Sequence, residues 1–353
     1  MRVALFTPLM VSVVLAVAAP WAGGRLPPRM AAWLLTLASL VVAVGTATAL
    51  GMMAFTLIAQ IPAIAAEGEW SPRLVAAHTP VDWPVAAACT LVLAGCLGSL
   101  AVSAWRQGTM WLAARRESRA LPTNGELTVV DDPVPHAFAL PGSPGRIVVS
   151  SGMLRALSAE ERTALLAHER SHLRHRHHLF LLTLNLAAAL HPLLRPVARA
   201  GSFAVERWAD EEAGAQVGDR TLVARAVARA ALAAKRAPRQ SLAATGGPVP
   251  QRVRALLAPP PTLRRDLVVA HALLMLVCCT SLVLSASDMD QLFDNSAPRS
   301  ATYAVGTVIG AESVRALMNQ GVTVPCREHR VDRHHEGEHG GPPMPADCRV
   351  RRS

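Results

Sequence analysis

The chain has 353 residues, 51% of them hydrophobic and 17% charged, with a mean hydropathy of +0.29, which is too apolar for an ordinary soluble enzyme and points to a membrane protein. The formal net charge of +10 is almost wholly arginine, Lys235 being the only lysine. These arginines cluster beside apolar spans, where they anchor topology, and so argue against direct nucleic acid binding.

In chain order, residues 3–22 form a first apolar span, long enough for a hydrocarbon core about 30 Å thick. A signal peptide has a similar pattern, but Arg2 is a meagre basic start and further spans follow at once, which favours a retained helix. Residues 30–66 are apolar without interruption, which predicts one long helix of roughly 55 Å, spanning over 31–60 with Gln60 and Pro62 near an interface. The third span is residues 84–105, closed by Arg106, and the fourth is residues 267–286, preceded by Arg264, Arg265 and Asp266. The fold class expected is an α-helical multi-pass membrane protein with about four transmembrane helices and an inserted domain. Residues 1–116 form the N-terminal membrane part, 117–263 the inserted domain, 264–286 the last span and 287–353 a tail.

Loop charge sets an orientation. Arg25 and Arg29, then Arg106, Arg115, Arg116 and Arg119, then Arg252, Arg254, Arg264 and Arg265 mark cytoplasmic segments by the positive-inside rule. The loop with Glu67, Glu69 and Asp82 against Arg73 reads as external. Both termini and the tail are then outside, and the inserted domain is cytoplasmic at the cell membrane.

Within that domain, residues 126–131 and 146–151 read as strands. Between them, residues 135–141 form a short apolar segment, followed by the turn residues Pro141, Gly142, Ser143, Pro144 and Gly145. Ser158 and Glu161 form a capping box that opens a helix. That helix carries His168-Glu169-Arg170-Ser171-His172, an H-E-x-x-H motif. Residues four apart share a helix face, so both imidazoles can bind one Zn²⁺ while Glu169 takes a proton from the attacking water. A strand pair beside such a helix can hold a peptide extended along its edge.

Two histidines need a third protein ligand. His178 completes the outer spacing of H-E-x-x-H-x-x-G-x-x-H, but position 175 is His175 rather than the glycine that breaks the helix. On an unbroken helix His178 lies about 15 Å from His168 along the axis. Glu206 and Asp210 are the better candidates: four apart on a predicted helix, one can ligate while the other steadies a ligand histidine.

These blocks together resemble a known family. Residues 137–142 (Ala-Phe-Ala-Leu-Pro-Gly), 147–154 (Ile-Val-Val-Ser-Ser-Gly-Met-Leu), the H-E-x-x-H helix and 206–210 (Glu-Arg-Trp-Ala-Asp) are similar to the ordered blocks of membrane zinc endopeptidases. Those are the HtpX-type heat-shock proteases, the CaaX prenyl endopeptidases and the β-lactam-sensing antirepressor metallopeptidases. Three spans before the site and one after it look most like the antirepressor branch. The resemblance implies a small α+β, gluzincin-like zinc metallopeptidase domain with one Zn²⁺ per chain. It implies His168, His172 and Glu206 as ligands, Glu169 as general base and Asp210 as the acid that steadies a ligand. Ala137, Phe138 and Ala139 match the edge strand that holds substrate, and Arg252 stands where some members have an oxyanion-stabilising arginine, although their accompanying histidine is missing here. The partner implied is a protein or peptide substrate, such as a winged-helix repressor. The alternatives are a quality-control protease for membrane proteins and a non-catalytic receptor retaining the fold.

The remaining features read more plainly. His175 and His177 suit a solvated or lipid-headgroup face, and residues 179–194 a short re-entrant or interfacial helix in contact with membrane lipid. Cys89, Cys96, Cys278 and Cys279 suit small packing positions within spans. The tail reads as disordered, with Cys326 and Cys348 able to pair in an oxidising compartment. It contains no lysine and is too short for a penicillin-binding domain with an S-x-x-K nucleophile, so no covalent penicillin adduct is expected.

Overall fold

The computed structural model describes residues 2–67, 70–71, 73–74, 82–120, 125–142, 145–236 and 249–296. Most of the loop expected to be external, Gly246 to Pro248, and the tail after Ser296 with Cys326 and Cys348 lie outside these residues.

Helix α1 covers Arg2–Arg25 and α2 covers Pro28–Ile58. Pro28 suits the first turn of α2, where an N–H has no helical partner in any case. The expected single helix over residues 30–66 is interrupted: α2 stops at Ile58, and a short α3, Pro62–Glu67, follows a turn. Pro62 is the physical cause, since it cannot donate to the helical ladder and disfavours helical backbone at Ile61. Two side chains take up carbonyls near the break: Gln60 Nε2 donates to Thr56 O at 3.0 Å and Trp70 Nε1 to Ala59 O at 2.9 Å.

Helix α4, Trp83–Ala120, carries the third span and continues well past Arg106. Arginine favours water over lipid yet is a good helix former, so charge ends the apolar stretch without ending the helix. Among the described residues four helices are long and apolar enough to cross a membrane, over Thr7–Arg25, Pro28–Ile58, Trp83–Arg116 and Arg265–Gln291. Exposed Val17, Leu91 and Val283 sit on their outer faces, where lipid rather than water suits them.

Between the third and fourth spans, strands β1 (Leu127–Val130), β2 (Ala137–Leu140) and β3 (Arg146–Ser150) form a sheet in the order β1-β3-β2. The central β3 is buried along its length, which its Ile147-Val148-Val149 run suits. It pairs in parallel with β1 and antiparallel with β2. Within this sheet β2 is therefore an edge strand. The helices that follow are α5 (Ser151–Ala156), α6 (Ala159–Arg174), α7 (His177–Leu190), α8 (Arg195–Val217), α9 (Arg220–Arg236), α10 (Val249–Leu257) and α11 (Arg265–Ser296), with a 3-10 turn over Pro192–Leu194 before α8.

Helices α7 and α8 form a hairpin enclosed by the spans. Ala187, Leu194, Val197 and Ala200 share a core with Leu15 of α1, Leu35 and Val42 of α2, and Cys278 of α11. Gly201 permits the close approach of the two arms, since a Cβ there would lie 2.7 Å from Leu184 Cδ1. The run expected to lie re-entrant or at an interface, residues 179–194, forms the first arm of this hairpin and the turn that follows it. Cys89 and Cys96 are half-buried, Cys278 buried and Cys279 exposed, and all four are free thiols.

Candidate active site

Helix α6 starts where the sequence places it. Ser158 Oγ accepts the Glu161 N–H at 3.3 Å, and Glu161 Oε2 accepts the Ser158 N–H at 3.0 Å. Glu161 also pairs with Arg229 of α9 at 2.9 Å, tying that helix to the start of α6.

His168 and His172 project from one face of α6, with their Nε2 atoms 3.1 Å apart. Glu206 arrives from α8, its carboxylate oxygens 3.7 Å from each Nε2. One ligand atom from each of the three residues lies within 4.8 Å of the others, and among the described residues this is the only such group. Two nitrogens bound at about 2.05 Å to a tetrahedral ion sit about 3.3 Å apart, so the spacing fits zinc. Two imidazoles and one carboxylate are also a donor set that zinc accepts. The electrostatics agree: burial opposes a proton on His168, but the Asp210 and Glu206 carboxylates push its pKa up to about 10. Burial and the neighbouring His168 push His172 down to about 4. The cluster therefore favours one positive charge among its carboxylates, and a divalent cation can take the place of that proton.

The groups behind the histidines fix their orientation. Asp210 Oδ1 is 3.0 Å from His168 Nδ1, close enough for a strong charge contact although not aligned as a good hydrogen bond. Asp210 is itself held by Arg252, whose Nε and Nη2 donate to its two oxygens at 2.8 and 2.6 Å. Arg252 Nη1 lies 2.9 Å from Glu206 Oε2. All three guanidinium nitrogens thus face carboxylates, which places Arg252 as a clamp on Glu206 and Asp210. Burial resists the charge on Glu206, but the nearby His168, His172 and Arg252 hold its carboxyl below the usual range.

His177 corrects the sequence reading. It is fully buried rather than on a solvated face, and its Nδ1 lies 3.0 Å from His172 Nδ1. Burial holds its pKa down to about 3, leaving a neutral ring whose Nδ1 can accept the His172 N–H. His175 and His177 both pack against Trp208, with ring centres 4.6 Å away. The available signal is helical spacing: His177, Phe180, Leu184 and Ala187 form the buried stripe of α7. The chain breaks between α6 and α7 at Arg176, which adopts a left-handed φ of 52°. His178 follows that break and stands outside the ligand group.

Glu169 is buried, and burial raises its pKa. It faces β2. Ser150 N donates to His136 O, so hydrogen-bonded pairs in the β2–β3 ladder fall at 136, 138 and 140, and the backbone groups of Ala137 and Ala139 point to the open edge. Ala139 backbone favours the Glu169 charge. Two cavities lie along this edge, both lined by Ala137, His168, Glu169 and Glu206. One, of about 190 Å³, is closed by Met153, Leu165 and Val227; the other, of about 250 Å³, by Phe138, His172 and Leu181.

Residues 103–187 match the model of Peptidase family M48. No curated protein and no solved structure matches the chain. The match supports a membrane metallopeptidase, and it includes the sheet, Glu169 and both histidines. Glu206, Asp210 and Arg252 lie beyond its end and reach the site only through the fold of α8 and α10.

Proposed function

We propose that this chain is an integral membrane zinc endopeptidase with His168, His172 and Glu206 as metal ligands and Glu169 as general base. The observation that carries the reading is the convergence of three ligand atoms beside a buried carboxylate and an open strand edge. Zinc, when bound, supplies a Lewis acid for the scissile carbonyl and the attacking water. A substrate segment pairs with β2 through the outward backbone groups of Ala137 and Ala139, which align its scissile bond past Glu169. The mainly apolar cavity beside Met153 and Val227 takes a neighbouring substrate side chain. Glu169 takes the proton of the attacking water and hands it to the leaving nitrogen; its raised pKa suits both transfers. Asp210, Arg252 and His177 keep the ligands in place.

Glu169→Ala should keep one zinc per chain and lose peptide cleavage, whereas His172→Ala and Glu206→Ala should lose the metal as well. Metal analysis alongside a casein or autolysis assay decides this, and full activity of Glu169→Ala would end the proposal.

For the substrate, the order of blocks, the spans around the site and the arginine-rich flanks favour regulatory cleavage of a cytoplasmic winged-helix repressor. Co-expression of a genetically neighbouring repressor with wild type and with Glu169→Ala tests this part. Repressor should be trimmed only by wild type; equal trimming by both excludes it as the substrate.

A further inference from the structure

Helix α4 carries one stripe of residues along α7 and the turn that follows it, and the stripe changes character along its length. Near the membrane boundary it presents Ser99, Ser103, Arg106 and Gln107, which with Asn185 of α7 and Arg195 of α8 line an open pocket of about 370 Å³. None of these six side chains makes a hydrogen bond or ion pair with another described residue. Asn185 is exposed within the mainly apolar helix α7. An amide facing hydrocarbon is costly unless something bonds to it.

From Trp83 to Arg106 the helix rises about 34 Å at about 1.5 Å per residue, close to the thickness of a hydrocarbon core. Arg106 therefore stands at headgroup depth if Trp83 marks the opposite surface, and Arg195, at the start of α8, reaches the same pocket with its long side chain. One turn further into the membrane on the same stripe, Cys96, Leu93 and Cys89 line a second cavity of about 440 Å³, bounded by Met53 of α2 and Leu190 and Leu193 beside the turn. Its wall is nearly all apolar, and its volume lies in the range of small-molecule sites, about 300–1,000 Å³. Neighbouring residues line the two cavities: on α7 Ala189 the first and Leu190 the second, and on α4 Ser99 the first and Cys96, one turn away, the second.

We propose that this pair of cavities binds one anionic phospholipid, its phosphate between Arg106 and Arg195 and one acyl chain in the apolar cavity. Arginines bind phosphate oxygens with directional hydrogen bonds, and Ser99, Ser103, Gln107 and Asn185 can bond the remaining headgroup and glycerol oxygens. A lipid held there rests against the His191–Leu194 turn, which joins α7 to the helix carrying Glu206. It thereby braces the hairpin behind the metal site.

The test uses the full-length protein, purified in detergent and delipidated, with phosphatidylglycerol and phosphatidylcholine added separately. Native mass spectrometry should show one phosphatidylglycerol retained per chain and no comparable phosphatidylcholine adduct, and only phosphatidylglycerol should raise the melting temperature. The double variant Arg106→Gln/Arg195→Gln should bind phosphatidylglycerol roughly thirtyfold more weakly, from the usual contribution of two arginines at an anionic surface. Cys96→Trp, which fills the apolar cavity and leaves both arginines, should also lower retention. Equal retention of the two lipids by wild type would overturn the proposal even if both variants fail to fold. Unchanged retention in the double variant would overturn the arginine site, and unchanged retention in Cys96→Trp the chain's placement. Displacement of the lipid by millimolar inorganic phosphate would show that the pocket reads a free anion instead.

Discussion

Arg252 faces two carboxylates with three nitrogens, and Asp210 behind it is 1% exposed. Removing the guanidinium leaves a buried carboxylate without its main partner, a change that costs about 3 kcal/mol or more in comparable pairs. Arg252→Ala should therefore lower Tm by several degrees and weaken metal binding, as read by thermal unfolding and a zinc titration. Arg252→Lys should recover little, because a single ammonium cannot bridge both acids with the same geometry. His177 acts on the other histidine. Losing a hydrogen-bond partner of a metal-bound imidazole typically costs 10–100-fold in metal affinity, so His177→Ala should weaken zinc binding by about that range. His177→Asn, which can still accept a hydrogen bond, should recover part of it; no recovery together with normal folding would leave His177 a packing residue only. Neither effect could be foreseen from residue type alone. His168, Glu169 and His172 show in the sequence because helical spacing puts them together within one motif, and Glu206 shows through its four-residue spacing from Asp210. Arg252 is brought in across 42 residues of chain, and His177 is recognised only through its place on a buried stripe.

The capping box and the strands of the domain are local features, and local features could be read directly. Ser158→Ala removes the acceptor for the Glu161 N–H and should cost about 1 kcal/mol, visible as a small fall in Tm with metal affinity retained. The parallel pairing of β1 with β3 depends on a non-local partner and has no comparable signature in either strand. The spans were legible because lipid demands uniform apolar character; their ends were less so. A membrane boundary is set by charge and a helix end by backbone capacity, as Arg106 and Pro62 show in opposite ways. The α7–α8 hairpin depends on a contact invisible in periodicity, the face of Gly201 against Leu184. A Cβ there meets the end of a flexible side chain, so Gly201→Ala should be tolerated at a cost of about 1–3 kcal/mol from overpacking. Gly201→Leu should separate the arms and release zinc, because Glu206 lies on α8 five residues further on. Zinc content at equal folded fraction checks it, and full zinc in Gly201→Leu would mean that the hairpin does not position Glu206.

At the scale of the whole chain, the site and the long apolar helices are connected through α8. Arg207, next to Glu206 in the chain, donates from Nη1 to Gly23 O at 3.1 Å and Gly24 O at 3.3 Å, near the end of α1. Arg29, just inside α2, lies over the Trp208 ring at 5.6 Å. The ends of α1 and α2 that meet the metal domain are thus the ends that carry Arg25 and Arg29, and α11 starts beside Arg264 and Arg265 on the same side, where Leu267 and Val268 pack with Leu26 and Trp208. Three spans place their basic ends next to the site, and the basic stretch Arg106 to Arg116 of α4 leads to the same domain. Arginine near a span resists translocation, so these ends should face the cytoplasm and the metal site with them. A reporter that works only outside the cell should be inactive when fused after Arg119 and active when fused after Ser296, the last residue of α11. Choosing Ser296 keeps the whole last span in the fusion, since the helix runs past the expected boundary at residue 286. The reverse pattern would place the metal site outside the cell, leaving no route to a cytoplasmic repressor and turning attention to extracellular or periplasmic substrates.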